Sequence, residues 1–317
     1  MKTSSVLFVR QAMAIKDKTQ DDAEQSPEAV KRELRDYTSP RYSRNRLLPS
    51  RGLSSQTNDA YPPSFSPGNA LLCAVYNLNK YPTGEEVNMD AVKRWFMGTP
   101  EERLALDKTC SDNFLHALDT IGPTKFSTPT ADPFLDQLNE IAQSDAKGDG
   151  AQAASAALSI AILLDQMPRN IFRSNEGLVK VYTHYDKISQ AFIRTLFSDK
   201  SPIPRPDQHP LWRNSTGHRM WFYMPLCHSE DVEDHKQMDG LLLDLQRDLD
   251  SQPGCAGSKK LLRDQFKAEK EHREIIDRFG RYPHRNGALG RDSTEEEVKF
   301  MSDGGATFGV AQKKDEL

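Results

Sequence analysis

"SKKLLRDQFKAEKEHREIIDRF", residues 258–279, decides the fold class. Leu262, Phe266, Ala268, His272, Ile275, Ile276 and Phe279 fall on one broad stripe at helical spacing, while the other faces are charged. That pattern describes an amphipathic helix with one side turned to a core. Working outward, Ser293 with Glu296 reads as a capping box for a short last helix over 294–301. The segment between, "GRYPHRNGALGRDST" (280–294), is then a loop joining two helices. Upstream, 231–250 and 176–197 carry further helical patterns, and "DKSPIPRPDQHPLWRNSTG" (199–217), with its four prolines, reads as a long loop. "GAQAASAALSIAILLDQMP" (150–168) is the most apolar stretch and predicts a central helix that kinks or ends at Pro168. Residues 133–145 predict another amphipathic helix. "TPEERLALDKTCSDNFLHALDTIG" (99–122) opens with Thr99 as N-cap, Pro100 first in the helix and Glu102 completing a capping box. "MDAVKRWFMG" (89–98) is a short helix stopped by glycine. No strand pair with a hairpin turn and no βαβ alternation occurs, so the class is all-α.

Composition bounds the rest. Hydrophobic residues make up 37% of the 317, below a globular average, so part of the chain is expected outside the packed core. Residues 1–66, polar and without sustained period, are that arm; a helical domain over 67–303 and a flexible tail over 304–317 complete the expected organisation. A net charge of −4 gives no general attraction for nucleic acid or anionic lipid, and no apolar run approaches the roughly 20 residues that span a bilayer. Cys73, Cys110, Cys227 and Cys255 are far apart, which predicts reduced thiols rather than a zinc knot or disulfide framework. The ends carry conflicting addresses. "KDEL" closes the chain, yet the apolar run Val6–Val9 is short for a secretory core, and acids are missing before Asp17. A cytoplasmic location is the expectation, with mitochondrion and endoplasmic reticulum as alternatives.

Three segments, "LLDQMPRNIFR" (163–173), "RMWFYMPLCHSED" (219–231) and "HREIIDRFGRYPHRNGALGRDSTEEEVKFM" (272–301), follow one another in an order that resembles domain of unknown function 924, a family carried by bacteria and fungi. The resemblance covers about residues 70–303 and implies a tetratricopeptide-like helical fold, here in a fungal member. It brings no activity with it. The chain departs from the family pattern in its N-terminal arm, in its longer 199–217 loop, and at His235, where the family usually has glutamine; Gln237 follows two positions on.

Each segment couples an apolar helix end to a polar turn bearing arginine. Asp165, Arg169, Asn170 and Arg173 come from the first, Arg219, Tyr223, His228 and Glu230 from the second, and His272, Arg278, Arg281, His284, Arg285, Asn286 and Arg291 from the third. Should these turns converge, they build a cleft of guanidinium groups suited to carboxylate or phosphate. Gly280, Gly287 and Gly290 could let backbone N–H groups approach such an anion. The competing expectation is a network of salt bridges tying helices together, favoured for the first segment; the third, short of acids, is expected to be the ligand site. His228 and His284, with His272 behind them, are the candidate acid or base groups. His228, Glu230 and His235 are weak metal ligands at this spacing, and no metal or cofactor is expected. Cys227 is expected to pack rather than react. GxSxG, Walker and dinucleotide-binding glycine patterns are missing. The expected partner is a small anionic molecule, with or without chemistry performed on it; a helical adaptor for an acidic peptide, or an accessory protein of a fungal metabolite pathway, are the alternatives.

Overall fold

The computed structural model describes residues 84–88, 98–144, 148–308 and 310. The expected arm over 1–66, the expected helix at 89–98 apart from Gly98, and the last residues of the chain lie outside these. Among the described residues there is no β-strand, and the architecture is all-α.

The central helix is α3, Ala151–Ile171. Alanines 153, 154, 156, 157 and 161 are all buried, and their small side chains let neighbours approach closely. α1 (Pro100–Thr120) and α2 (Asp132–Ser144) pack on it. Ser155 and Ser159, buried in the same helix, return their hydroxyls to the carbonyls of Ala151 and Ser155, so neither polar group is left unmet. α3 does not end at Pro168. It runs on to Ile171, with the Phe172 N–H bonded to the Pro168 carbonyl at 2.9 Å.

The helix expected over 176–197 is two. α4 (Asn175–Lys180) leads through a π-helical turn, Val181–Tyr185, into α5 (Asp186–Leu196). Such a turn inserts a residue into the ladder and re-aims the side chains beyond it. The proline-rich stretch holds a 3₁₀ turn, Pro206–Gln208, under which Trp212 is buried with its indole N–H on the Pro206 carbonyl at 2.9 Å. α6 (Thr216–Cys227) packs against α3, α5, α7 (Val232–Asp250) and α8 (Ala256–Phe279), and α7 lies along α8.

α8 stops at Gly280, whose φ of 67° places it in the left-handed region that glycine favours. A 3₁₀ turn (Pro283–Arg285), the four-residue α9 (Asn286–Leu289) and α10 (Glu295–Ser302) follow, with Gly290 at φ 62° closing α9. Gly280 and Gly290 therefore cap helices. The capping box of α1 forms as read, Thr99 with Glu102. That of α10 sits one residue later than read, on Thr294 and Glu297. Thr294→Ala is accordingly expected to cost about 1 kcal/mol in urea unfolding, and Ser293→Ala clearly less.

Candidate functional site

The three sequence motifs meet where the last turn of α3, the start of α5, the end of α6 and the 3₁₀ turn after α8 come together. Asp165, Arg169, His228, His272, His284 and Arg285 are brought into one cluster. Its centre is a pair of acids and a pair of guanidinium groups. Arg169 donates to Asp186 at 2.6 Å and to Asp165 at 3.3 Å, and its Nε lies 3.2 Å from His228 Nδ1. Gln166 donates to the other oxygen of Asp165. His228, at the C-cap of α6, places Nδ1 2.8 Å from Asp165 Oδ1.

One ring nitrogen cannot donate to a carboxylate and accept from a guanidinium together. The shorter, charge-assisted contact assigns the Nδ1 proton to Asp165, which leaves Nε2 with its lone pair. Burial works against an ionised Asp165, but the neighbouring His228 and Arg169 outweigh it and hold its pKa at about 2. Burial and the Arg169 charge lower the pKa of His228, with Asp165 opposing. Burial lowers His272 to about 3, against the Ala268 carbonyl that accepts from its Nδ1 at 2.7 Å. His284 is driven well below the ordinary histidine value by burial and by Arg285. Three neutral imidazoles therefore stand beside two cations. The rings of His228 and His272 are 6.5 Å apart, and Tyr282 lies 5.9 Å from His272 and 5.5 Å from His284.

Arg285 is held differently from the other arginines. Its guanidinium is sandwiched between Tyr182 (4.6 Å) and Tyr282 (4.5 Å), and it donates to the His228 carbonyl at 2.8 Å. Its acid is Asp186 at 3.8 Å, and its buried Nε makes no hydrogen bond. Tyr182 and Asp186 escape notice in the sequence because the π-helical turn that orients them has no sequence signature. Tyr282 was visible in the loop but carried no charge to mark it.

The rest of the third motif is a clasp. Arg281 grips Glu297 at 2.6 and 2.7 Å, Arg291 grips Glu230 at 2.7 and 3.0 Å, and Asn286 joins them by bonding Arg291, Ser293 and Glu297. Glu230 also accepts the Tyr282 backbone N–H at 2.8 Å. Arg278 pairs with Glu296. The expectation that this loop has few acids to pair its arginines is thus overturned: α10's first turn and the second motif supply them.

Two other groups lie apart. Arg173 pairs bidentately with Asp107 of α1 at 2.5 and 2.6 Å and touches Asn170, whose amide also bonds the Gln166 carbonyl. Arg219 is fully buried in a network with Tyr223, Asp207 and Asp248. None of its partners belongs to the histidine cluster, so Arg219 and Tyr223 hold the fold where the motif was read as ligand-binding. Cys227 is buried, and burial with the nearby Glu269 raises its thiol pKa well above the ordinary value, so it is no nucleophile. Among the described residues no group of three or more His, Cys, Asp or Glu is arranged to hold a metal ion, and no helix is long and apolar enough to cross a membrane.

No curated protein matches the chain. Among solved structures, a protein of unknown function, ATU0120, from Agrobacterium tumefaciens is 27% identical, covering 61% of this chain and 96% of that one, with a TM-score of 0.35. The family model for bacterial proteins of unknown function, DUF924, matches residues 81–305. That span contains the histidine cluster, the clasp and all three motifs, and the chain belongs to the DUF924 family.

Proposed function

We propose that this protein binds a small anionic molecule, a carboxylate or a phosphate, between Arg169 and Arg285, with the Nε2 of His228 placed to accept a proton from it. The observation that carries this reading is Arg285. Its planar fork is pre-oriented by two tyrosine faces, its nearest acid stands at the limit of an ion pair, and its Nε has donor capacity to spare. Asp186 is held tightly by Arg169 at 2.6 Å and only loosely by Arg285 at 3.8 Å, so at Arg285 an incoming anion competes with one weak contact. The Asp165–His228 contact has the form by which a carboxylate fixes the tautomer of a base. His272 and His284, both neutral, add donors or acceptors without adding charge.

Melting curves with phosphate, citrate and acetate test it. An anion at about 100 times its Kd stabilises by about 2.7 kcal/mol, or roughly 5–10 °C for a domain of this size. Arg285→Ala is expected to abolish that response. Arg281→Ala is expected to keep it while lowering the anion-free stability by about 1–3 kcal/mol, because Glu297 loses its charged partner. A response that survives Arg285→Ala, or none with any anion, would remove the site.

A further inference from the structure

We propose that the ligand of this site is a planar aromatic carboxylate, and that Phe308 occupies the seat of its ring in the unliganded protein. The proposal rests on the anion-binding reading above for its charged half, and on independent observations for its ring.

Phe308 lies flat on the imidazole of His272, with ring centres 3.9 Å apart and planes 15° from parallel. Tyr282 and His284 meet it edge-on at 5.8 Å and 5.4 Å. These three rings form a slot that accepts a flat aromatic body, one neutral imidazole beneath and two rings at the sides. Phe308 reaches it at a backbone cost. Its φ is 49°, in the left-handed region that a residue with a β-carbon enters rarely, and among the described residues only Cys255 shares that feature. Its ring is only partly buried, unlike the aromatic residues of the main core.

The described residues after α10 form a strap that brings it there. After α10 the chain reverses at Gly304, with φ 90°, and Gly305, whose N–H returns to the Phe300 carbonyl at 2.9 Å. A β-carbon on Gly305 would stand 2.5 Å from the Phe300 ring, so the reversal needs glycine. Ala306 and Phe308 then pack with Ile275, Ile276 and Tyr282, while Val310 packs with Leu178, Val181 and Tyr182. The strap thus bridges the two apolar patches that own the two tyrosines around Arg285. Tyr282 is the common wall: one partner is the Phe308 ring, the other the Arg285 cation at 4.5 Å. Because Phe308 and Arg285 both contact Tyr282, a ring in the place of Phe308, stacked on His272, would carry its carboxylate on the side turned toward Arg285.

A seat that the chain itself fills about 90% of the time weakens the apparent affinity of a competitor about tenfold. Isothermal titration of the full chain, Phe308→Ala, Phe308→Leu and Arg285→Ala with benzoate, cyclohexanecarboxylate, phosphate and benzamide tests the proposal. Benzoate is expected to bind more tightly than cyclohexanecarboxylate or phosphate, to tighten about tenfold in Phe308→Ala, and to lose measurable binding in Arg285→Ala. Phe308→Leu keeps volume but not the flat face, and serves should the alanine variant fail to fold; benzoate is expected to tighten there too. Equal binding of benzoate, cyclohexanecarboxylate and phosphate, unmoved by either Phe308 variant, would overturn the aromatic seat and leave the anion site intact. Equal binding of benzamide and benzoate, stronger in Phe308→Ala and indifferent to Arg285→Ala, would support the seat and overturn the anion site. No binding of any probe to any of the four proteins overturns both.

Discussion

Arg219→Ala is expected to destabilise the protein by about 3–5 kcal/mol, the cost typical of breaking a buried ion network from one side. The guanidinium has no exposed surface, and every one of its nitrogens is engaged. Nε donates to Tyr223 at 3.0 Å, one terminal nitrogen reaches Asp248 at 2.6 Å and the Arg213 carbonyl at 2.9 Å, and the other reaches Asp207 at 3.1 Å. The Tyr223 hydroxyl in turn donates to Asp207 at 2.8 Å. Asp207 is fully buried, and removing Arg219 leaves it with Arg205 and Tyr223 against a new cavity. Arg213 is the control. It also bonds Asp248, but its side chain is 56% exposed, so Arg213→Ala is expected to cost under about 1 kcal/mol. Urea unfolding of the two variants measures both. A cost for Arg219→Ala no larger than that for Arg213→Ala would mean that the network does not hold α6 to α7 and the 3₁₀ turn.

The second large effect is expected at His235. It is fully buried, with Nδ1 2.7 Å from Glu269 and Nε2 2.9 Å from the Ser229 carbonyl. Both nitrogens face acceptors, so both carry protons and the ring is an imidazolium. Burial alone would drive the ring toward neutrality, but the hydrogen bond and charge of Glu269, helped by the Ser229 carbonyl, raise its pKa above the ordinary value. The pair joins α7 to α8 directly beneath Tyr282. His235→Ala strands the Glu269 carboxylate and is expected to cost about 3–5 kcal/mol at pH 6. A histidine whose folded pKa is raised contributes fully below its unfolded value and loses that contribution as pH rises through the folded value. The gap between wild type and His235→Ala should therefore narrow above neutrality. His218, His272 and His284 act in the opposite sense. Burial depresses their pKa values, His218 and His272 to about 3. Below the unfolded value they refuse protons that the unfolded chain takes up, so stability falls with acid, on the order of 1 kcal/mol per pH unit for each. Unfolding curves from pH 4 to 9 on wild type and variant separate the two trends. A gap that widens with rising pH would contradict a protonated His235.

Much of the scaffold was legible in the residues alone. The apolar stripe of 258–279 specified α8 to within two residues at its start, and Thr99, Pro100 and Glu102 specified the start of α1, because periodicity and capping are decided within one or two turns of chain. The three motifs pointed to a place where polar helix ends collect, and six of their charged or imidazole side chains do meet. What each arginine does there was not legible. Arg219, Arg281, Arg285 and Arg291 all sit in or beside polar turns at helix ends, yet one is locked in a separate buried network, two close a clasp, and one lies between two tyrosines with an unbonded Nε. The difference comes from partners far along the chain: Asp248 for Arg219, Glu230 for Arg291, Tyr182 and Asp186 for Arg285. Helix content and boundaries are local properties, and the sequence by itself determined most of them. The pairing of charges and the seating of Phe308 on His272 depend on which helix ends the packing around α3 brings together and on how the π-helical turn and the Gly304–Gly305 reversal aim the chain. Only the tertiary structure decided those, because a side chain's charge is written in the sequence while its nearest counter-charge is set by the fold.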